Sequence, residues 1–218
     1  MPDASICAAF APVDPGPVEG FELDASHAGW TSLLEWSYRR AGLELPHLDR
    51  LAPEEVPQPY KSLLVHSADM TPTLEAHYGR PLGLTVLSRE VQGDCYLREV
   101  VLTIGSEKRP VLYGAIRILL NHLPPGARRR VLEERFPLGH ILQTEETPHL
   151  SWPQAFFRAE PDPHMAALLR CGSVAGPLYG RRNVLVDGSR RLLAEVIEVL
   201  GIAEPSGKRK APRHRDSK

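Results

Sequence analysis

Cysteine is scarce in this sequence of 218 residues, with three in all, Cys7, Cys95 and Cys171. They lie far apart and form no CxxC pair, which excludes a zinc knuckle and a disulfide framework and leaves buried thiols as the reading. Nine histidines are present, but there is no HExxH, no HxH and no close Cys/His pairing. His122, His140 and His149 are spaced too loosely to form a metal set, so no metal is expected. The glycines make neither a P-loop nor GxGxxG, and no GxSxG is present, so phosphoryl, dinucleotide and Ser-His-Asp chemistry are unsupported. No run approaches the ~20 apolar residues of a membrane span, and the N-terminus lacks the basic-then-apolar plan of a signal peptide. The expectation is a soluble, cytoplasmic protein.

What is present suits one domain with tails: 42% apolar residues and enough length for a real core. The net charge of −1 is unevenly spread. Residues 205–218 hold six Lys/Arg against one Asp, a net of +5, which leaves −6 on the rest. A mildly acidic body does not read as a nucleic-acid binder. The basic tail, residues 204–218, reads as a disordered, solubilising end.

Residues 1–59 read as a Pro-rich N-terminal extension with one helix, which runs from a Ser32/Glu35 capping box through Leu33, Leu34, Trp36 and Tyr38 to Gly42. The compact unit is expected over 60–203. Thr71-Pro72 reads as N-cap and first helical residue of a short helix stopped by Gly79. Three strand candidates follow, 82–91, 95–104 and 111–120, with Gly93-Asp94 and Gly105-Ser106 at the turns. Pro124-Pro125-Gly126 opens a helix through Arg135, broken at Phe136-Pro-Leu-Gly139. Residues 144–163 read as irregular, and a helix is expected around 163–171. Asn183–Val186, the Asp187-Gly-Ser189 turn and residues 190–200 read as a closing hairpin. Residues 191–200 also fit a helix by periodicity, and β-branched Val196, Ile197 and Val199 favour the strand. The pattern implies an α+β fold with an antiparallel sheet.

In the strand over 95–104, Tyr96, Arg98, Val100, Leu102 and Ile104 share one face. Four of the five are apolar, so the face looks inward. An inward guanidinium cannot shed its charge and needs an anion beside it, from the protein or from a ligand. Glu195 and Glu198, inside an apolar run, point to opposite faces if the run is a strand. An inward carboxyl among them could pair with Arg98 or hydrogen-bond a substrate. In Leu178-Tyr-Gly-Arg-Arg182 the two arginines read either as solvated cations at a strand start or as a basic rim for an anionic ligand.

Six segments in order resemble the chorismate lyase family: Asp69-Met-Thr71, Thr85-Val-Leu-Ser-Arg-Glu90, Tyr96-Leu-Arg-Glu-Val-Val-Leu102, Phe136-Pro-Leu-Gly-His140, Leu178-Tyr-Gly-Arg-Arg182 and Leu192-Leu-Ala-Glu195. The resemblance covers roughly residues 60–200. It implies about six antiparallel strands with helices on one face. It also implies a carbon–oxygen lyase that releases pyruvate from chorismate and leaves 4-hydroxybenzoate, without a cofactor. Carried over by position, the product contacts are Met70, Arg98, Leu138 and Glu195. Arg98 and Glu195 take the catalytic roles, with Arg98 on the ring carboxylate and Glu195 on the hydroxyl at the far end of the ring. Arg181 or Arg182 is assigned to the enolpyruvyl carboxylate, and Arg182 is carried as a binding residue. The strand over 111–120 departs from the family, with Arg117 where a Gly-Arg pair is expected nearer its start. The implied partner is a small aryl acid.

Two other readings use the same pocket without catalysis. One is the effector-binding UTRA domain of transcription regulators, although residues 1–59 do not resemble the winged helix-turn-helix that precedes it. The other is a pseudoenzyme that binds a small aromatic acid.

Overall fold

The computed structural model describes residues 29–171 and 176–201. Its elements run α1 (Ser32–Arg40), β1 (Leu48–Leu51), α2 (Tyr60–Leu64), α3 (Met70–Tyr78), β2 (Leu82–Gln92), β3 (Cys95–Ile104), β4 (Arg109–Leu119), α4 (Pro125–Glu133), α5 (Leu138–Thr144), β5 (Leu150–Ala159), α6 (Pro163–Leu169), β6 (Leu178–Val186) and β7 (Leu192–Leu200). The strands form one sheet in the order β1-β5-β6-β7-β4-β3-β2. Every pairing is antiparallel, and the fold is α+β. Among the described residues, no helix is long and apolar enough to cross a membrane.

β3 begins and ends where the sequence places it, because glycines in left-handed backbone (Gly93 and Gly105) sit in both flanking turns. The last hairpin is also a strand pair, so β-branching prevails over the helical period in 192–200. Gly79 closes α3 in left-handed conformation, but that helix starts at Met70, with Asp69 and not Thr71 at the N-cap. Likewise Thr31, not Ser32, occupies the N-cap of α1.

Two architectural details go beyond the sequence expectation. The sheet has seven strands. β5 lies in the stretch expected to be irregular, where Pro153 borders the register shift between β5 and β6. That is a place in a sheet that tolerates a missing N–H. β1 lies within the expected Pro-rich N-terminal extension and pairs with β5. Helices also cover both faces of the sheet. α1 and α6 pack with Leu97, Val101, Tyr113 and Ile197 on one face. α4 and α5 pack with Tyr96, Ile116 and Ile118 on the other face, which α2 and α3 share. α1 is tied to the sheet by Ser37, whose hydroxyl donates to buried Glu99. The expected division at residue 59/60 therefore cuts through packed structure. Residues 1–28 of the expected extension and the expected basic tail lie outside the described residues.

Double coverage explains why β3, β4 and β7 read as largely apolar runs. It also gives two buried environments for charge. The face bearing α2–α5 is called the upper face below, and that bearing α1 and α6 the lower face.

Candidate functional site

Strand register determines which side chains meet. Arg98 stands opposite Ile116, which stands opposite Val196, which stands opposite Asn183. One row along come Val100, Gly114, Glu198 and Arg181. Both rows face upward. Above them, the starts of α3 (Met70, Thr71) and α5 (Leu138, Gly139) form a roof. Floor and roof bound a partly open cavity of about 50 Å³ that Arg98, Asn183, Glu198 and Asp69 line with polar groups. Gly114 makes room in the floor: a Cβ there would lie 3.1 Å from Val100 Cγ2.

Arg98 is fully buried. None of its three guanidinium nitrogens has a hydrogen-bond partner among the described residues. Glu134, the carboxylate whose charge it feels, is committed elsewhere. It accepts from Arg89 at 2.7 Å and from the Tyr96 hydroxyl. Burial pulls the Arg98 pKa below its ordinary value, with Tyr96 and Glu134 opposing, yet a guanidinium keeps its proton in proteins. Arg98 is thus a charged fork beside a cavity, with the Tyr96 hydroxyl close by but no carboxylate hydrogen-bonded to it among the described residues.

Arg181, equally buried, is the contrast. Its Nε donates to Glu198 Oε2 at 2.6 Å, and its other nitrogens donate to the carbonyls of Leu64, His66 and Ala68. It therefore ties the α2–α3 connection to the sheet. Burial holds the Glu198 carboxyl above the usual carboxylate range, with Arg181 opposing.

At the rim, Asp69 leaves the N-terminus of α3 uncapped by its side chain and instead meets His149 Nε2 at 2.8 Å. His149 Nδ1 lies 2.8 Å from the Thr147 carbonyl. Both neighbours are acceptors, and a neutral imidazole has a single N–H, so this geometry calls for imidazolium. The Asp69 contact accordingly raises the His149 pKa.

Of the residues singled out from the sequence, Met70, Arg98 and Leu138 come together around the cavity. Glu195 and Arg182 do not. Glu195 pairs with Arg117 and Arg182 on the lower face, its Oε1 2.7 Å from Arg182 Nε. The assignment of Glu195 and Arg182 to the Arg98 pocket is corrected on this ground: successive strand residues alternate faces, and the sheet lies between. The carboxylate on the cavity face is Glu198. The signal for this was in the sequence. Adjacent arginines on one strand, facing carboxylates an odd number of residues apart on the next, must sort into one ion pair per face. Asn183 and Asp69 carried no comparable signal, since their roles depend on the register and on the roof.

No family model matches the chain, and no curated protein matches it. Solved structures are similar to it in fold. The effector domain of PhnF from Mycobacterium smegmatis is 16% identical, with 63% of this chain and 91% of that chain covered and a TM-score of 0.47. A GntR-family transcriptional regulator from Bacillus cereus is 13% identical over 58% and 97%, with a TM-score of 0.41. The C-terminal domain of the histidine utilization repressor from Pseudomonas syringae pv. tomato is 9% identical over 59% and 98%, with a TM-score of 0.39.

The expectation of a carbon–oxygen lyase is corrected. The carboxylate given a catalytic role, Glu195, is separated from Arg98 by the sheet, so the pair cannot act together on one substrate.

Proposed function

We propose that this chain binds a small organic acid without transforming it, and that Arg98 is the counter-charge for the acid group. The observation that carries this reading is the buried Arg98 fork, unpartnered among the described residues, at the wall of the cavity. A buried unpaired charge costs several kcal/mol, and a carboxylate held bidentately offsets that cost. The start of α3 in the roof adds the positive end of a helix dipole. Met70 and Leu138 supply apolar walls, as a ligand of mixed character needs.

The sequence resemblance favours an aryl acid such as 4-hydroxybenzoate. A benzene ring occupies a cavity of about 150 Å³ in a well-studied case, so a ring enters here with displacement of the roof. Either way the chain acts as an effector-binding domain or a pseudoenzyme.

Calorimetric titration of the full chain with acetate, butyrate, benzoate and 4-hydroxybenzoate tests this. The expected result is saturable binding of at least one acid, lost in Arg98→Met. No binding at 10 mM, or binding unchanged in Arg98→Met, overturns it.

A further inference from the structure

The cavity holds a second buried group without a partner. Asn183 is 2% exposed, and its Oδ1 has no hydrogen-bond donor among the described residues. The orientation of the amide follows from its neighbours. Ser151 Oγ lies 3.5 Å from the Ala68 carbonyl, which can only accept. The serine proton is therefore directed there, and its oxygen accepts from Asn183 Nδ2 at 2.8 Å. The atom left over is the amide oxygen, an acceptor that lacks a donor.

Charge bookkeeping adds a constraint. Glu198 is balanced by Arg181, and Asp69 by the His149 imidazolium. Arg98 alone among the charges lining the cavity has no ion-pair partner among the described residues, since Glu134, whose charge it feels, pairs with Arg89. One negative charge neutralises the site. A second would sit against Glu198 and Asp69 in a buried space, which is unfavourable.

We propose that the site selects a monoanionic acid that carries a neutral hydrogen-bond donor away from its acid group, the acid meeting Arg98 and the donor meeting Asn183 Oδ1, and that it rejects diacids. This rests on the anion-binding reading above and extends it to a ligand class. A neutral donor such as a hydroxyl suits the far end better than an ammonium, because both lining carboxylates already have cationic partners.

Three size-matched triplets decide the question, titrated calorimetrically into the full chain: acetate, glycolate and oxalate; butyrate, 4-hydroxybutyrate and succinate; benzoate, 4-hydroxybenzoate and terephthalate. In whichever triplet binds, the hydroxy acid is expected to bind about tenfold more tightly than the plain acid, a difference of ~1.4 kcal/mol, and the diacid most weakly. In Asn183→Leu the advantage of the hydroxy acid over the plain acid disappears. Equal binding of plain and hydroxy acids, a diacid binding as well as the hydroxy acid, or an advantage that survives in Asn183→Leu overturns the proposal. If Asn183→Leu does not fold, the wild-type order alone decides. If no member of any triplet binds, the anion-binding reading itself falls.

Discussion

Arg98 and Glu195 are both fully buried and lie on opposite faces of the same sheet. They are therefore in different electrostatic situations. Glu195 has two arginine partners, Arg117 and Arg182. Arg98 has no hydrogen-bonding acceptor among the described residues. Substitution separates a charge paired within the protein from the charge proposed to meet a ligand.

Arg98→Met is expected to raise stability. It removes a buried, unsatisfied guanidinium and keeps the alkyl packing, for a gain of about 1–3 kcal/mol. Thermal denaturation of the acid-free protein should show a midpoint higher by about 2–4 °C per kcal/mol. A lower midpoint would mean that Arg98 has a protein partner after all.

Glu195→Ala should do the opposite. It removes the buried carboxylate that pairs with both Arg182 and Arg117. Removing one member of a buried ion pair costs about 3–5 kcal/mol. Denaturant unfolding measures this. Acid binding, scored on the folded fraction, should remain within a factor of two, since Glu195 faces away from the cavity.

Gly114→Ala tests the floor. The added methyl meets Val100 Cγ2 at 3.1 Å and Leu112 Cδ2 at 3.6 Å. Gly114 has no positive φ, so alanine suits the strand backbone. The circular dichroism spectrum should stay unchanged while acid affinity falls about tenfold or more. Retained affinity would place the ligand elsewhere.

Two histidines should bend the pH–stability curve in opposite directions. The Asp69 contact raises the His149 pKa. Its contribution is therefore complete below the unfolded pKa of ~6.5 and is lost as pH rises through the folded value. Burial, with Arg181 adding repulsion, lowers the His66 pKa. The unfolded chain then takes up the proton first, and stability declines as pH falls below ~6.5. Chemical denaturation across pH 5–9 should show His149→Gln flattening the alkaline limb and His66→Gln the acid limb. If His149→Gln leaves the alkaline limb unchanged, the Asp69–His149 pair does not carry it.

The sheet from β2 to β4 and the closing hairpin were legible because local signals agreed there, namely alternation or β-branching bounded by turn glycines or Asp-Gly. β5 was not. Pro153 inside a strand is read as a breaker, and the register shift that accommodates it is a property of the pairing with β6. β1 is only four residues long and exists through β5. At the site, Arg98 was legible as one charge on an otherwise apolar alternate face. Glu195 was misplaced because a position carried over from a resemblance does not by itself say which of the two carboxylates shares a face with Arg98. Asn183 was missed because a single amide in a strand has no pattern of its own.

The cavity has unequal halves. Its floor is four central strands of the sheet, hydrogen-bonded to each other and covered on both faces. Its roof is the first turns of two short helices, latched at the rim by Asp69 and His149. A ligand bound as proposed would meet a preorganised sheet on one side and two helix starts on the other. Affinity would then follow the floor, whose donors and acceptors lose little freedom on binding, and the association rate would follow the opening of the roof. Amides at 69–74 and 137–142 should accordingly exchange with solvent faster than those of β3 and β7, and a bound acid should slow the roof without changing the floor.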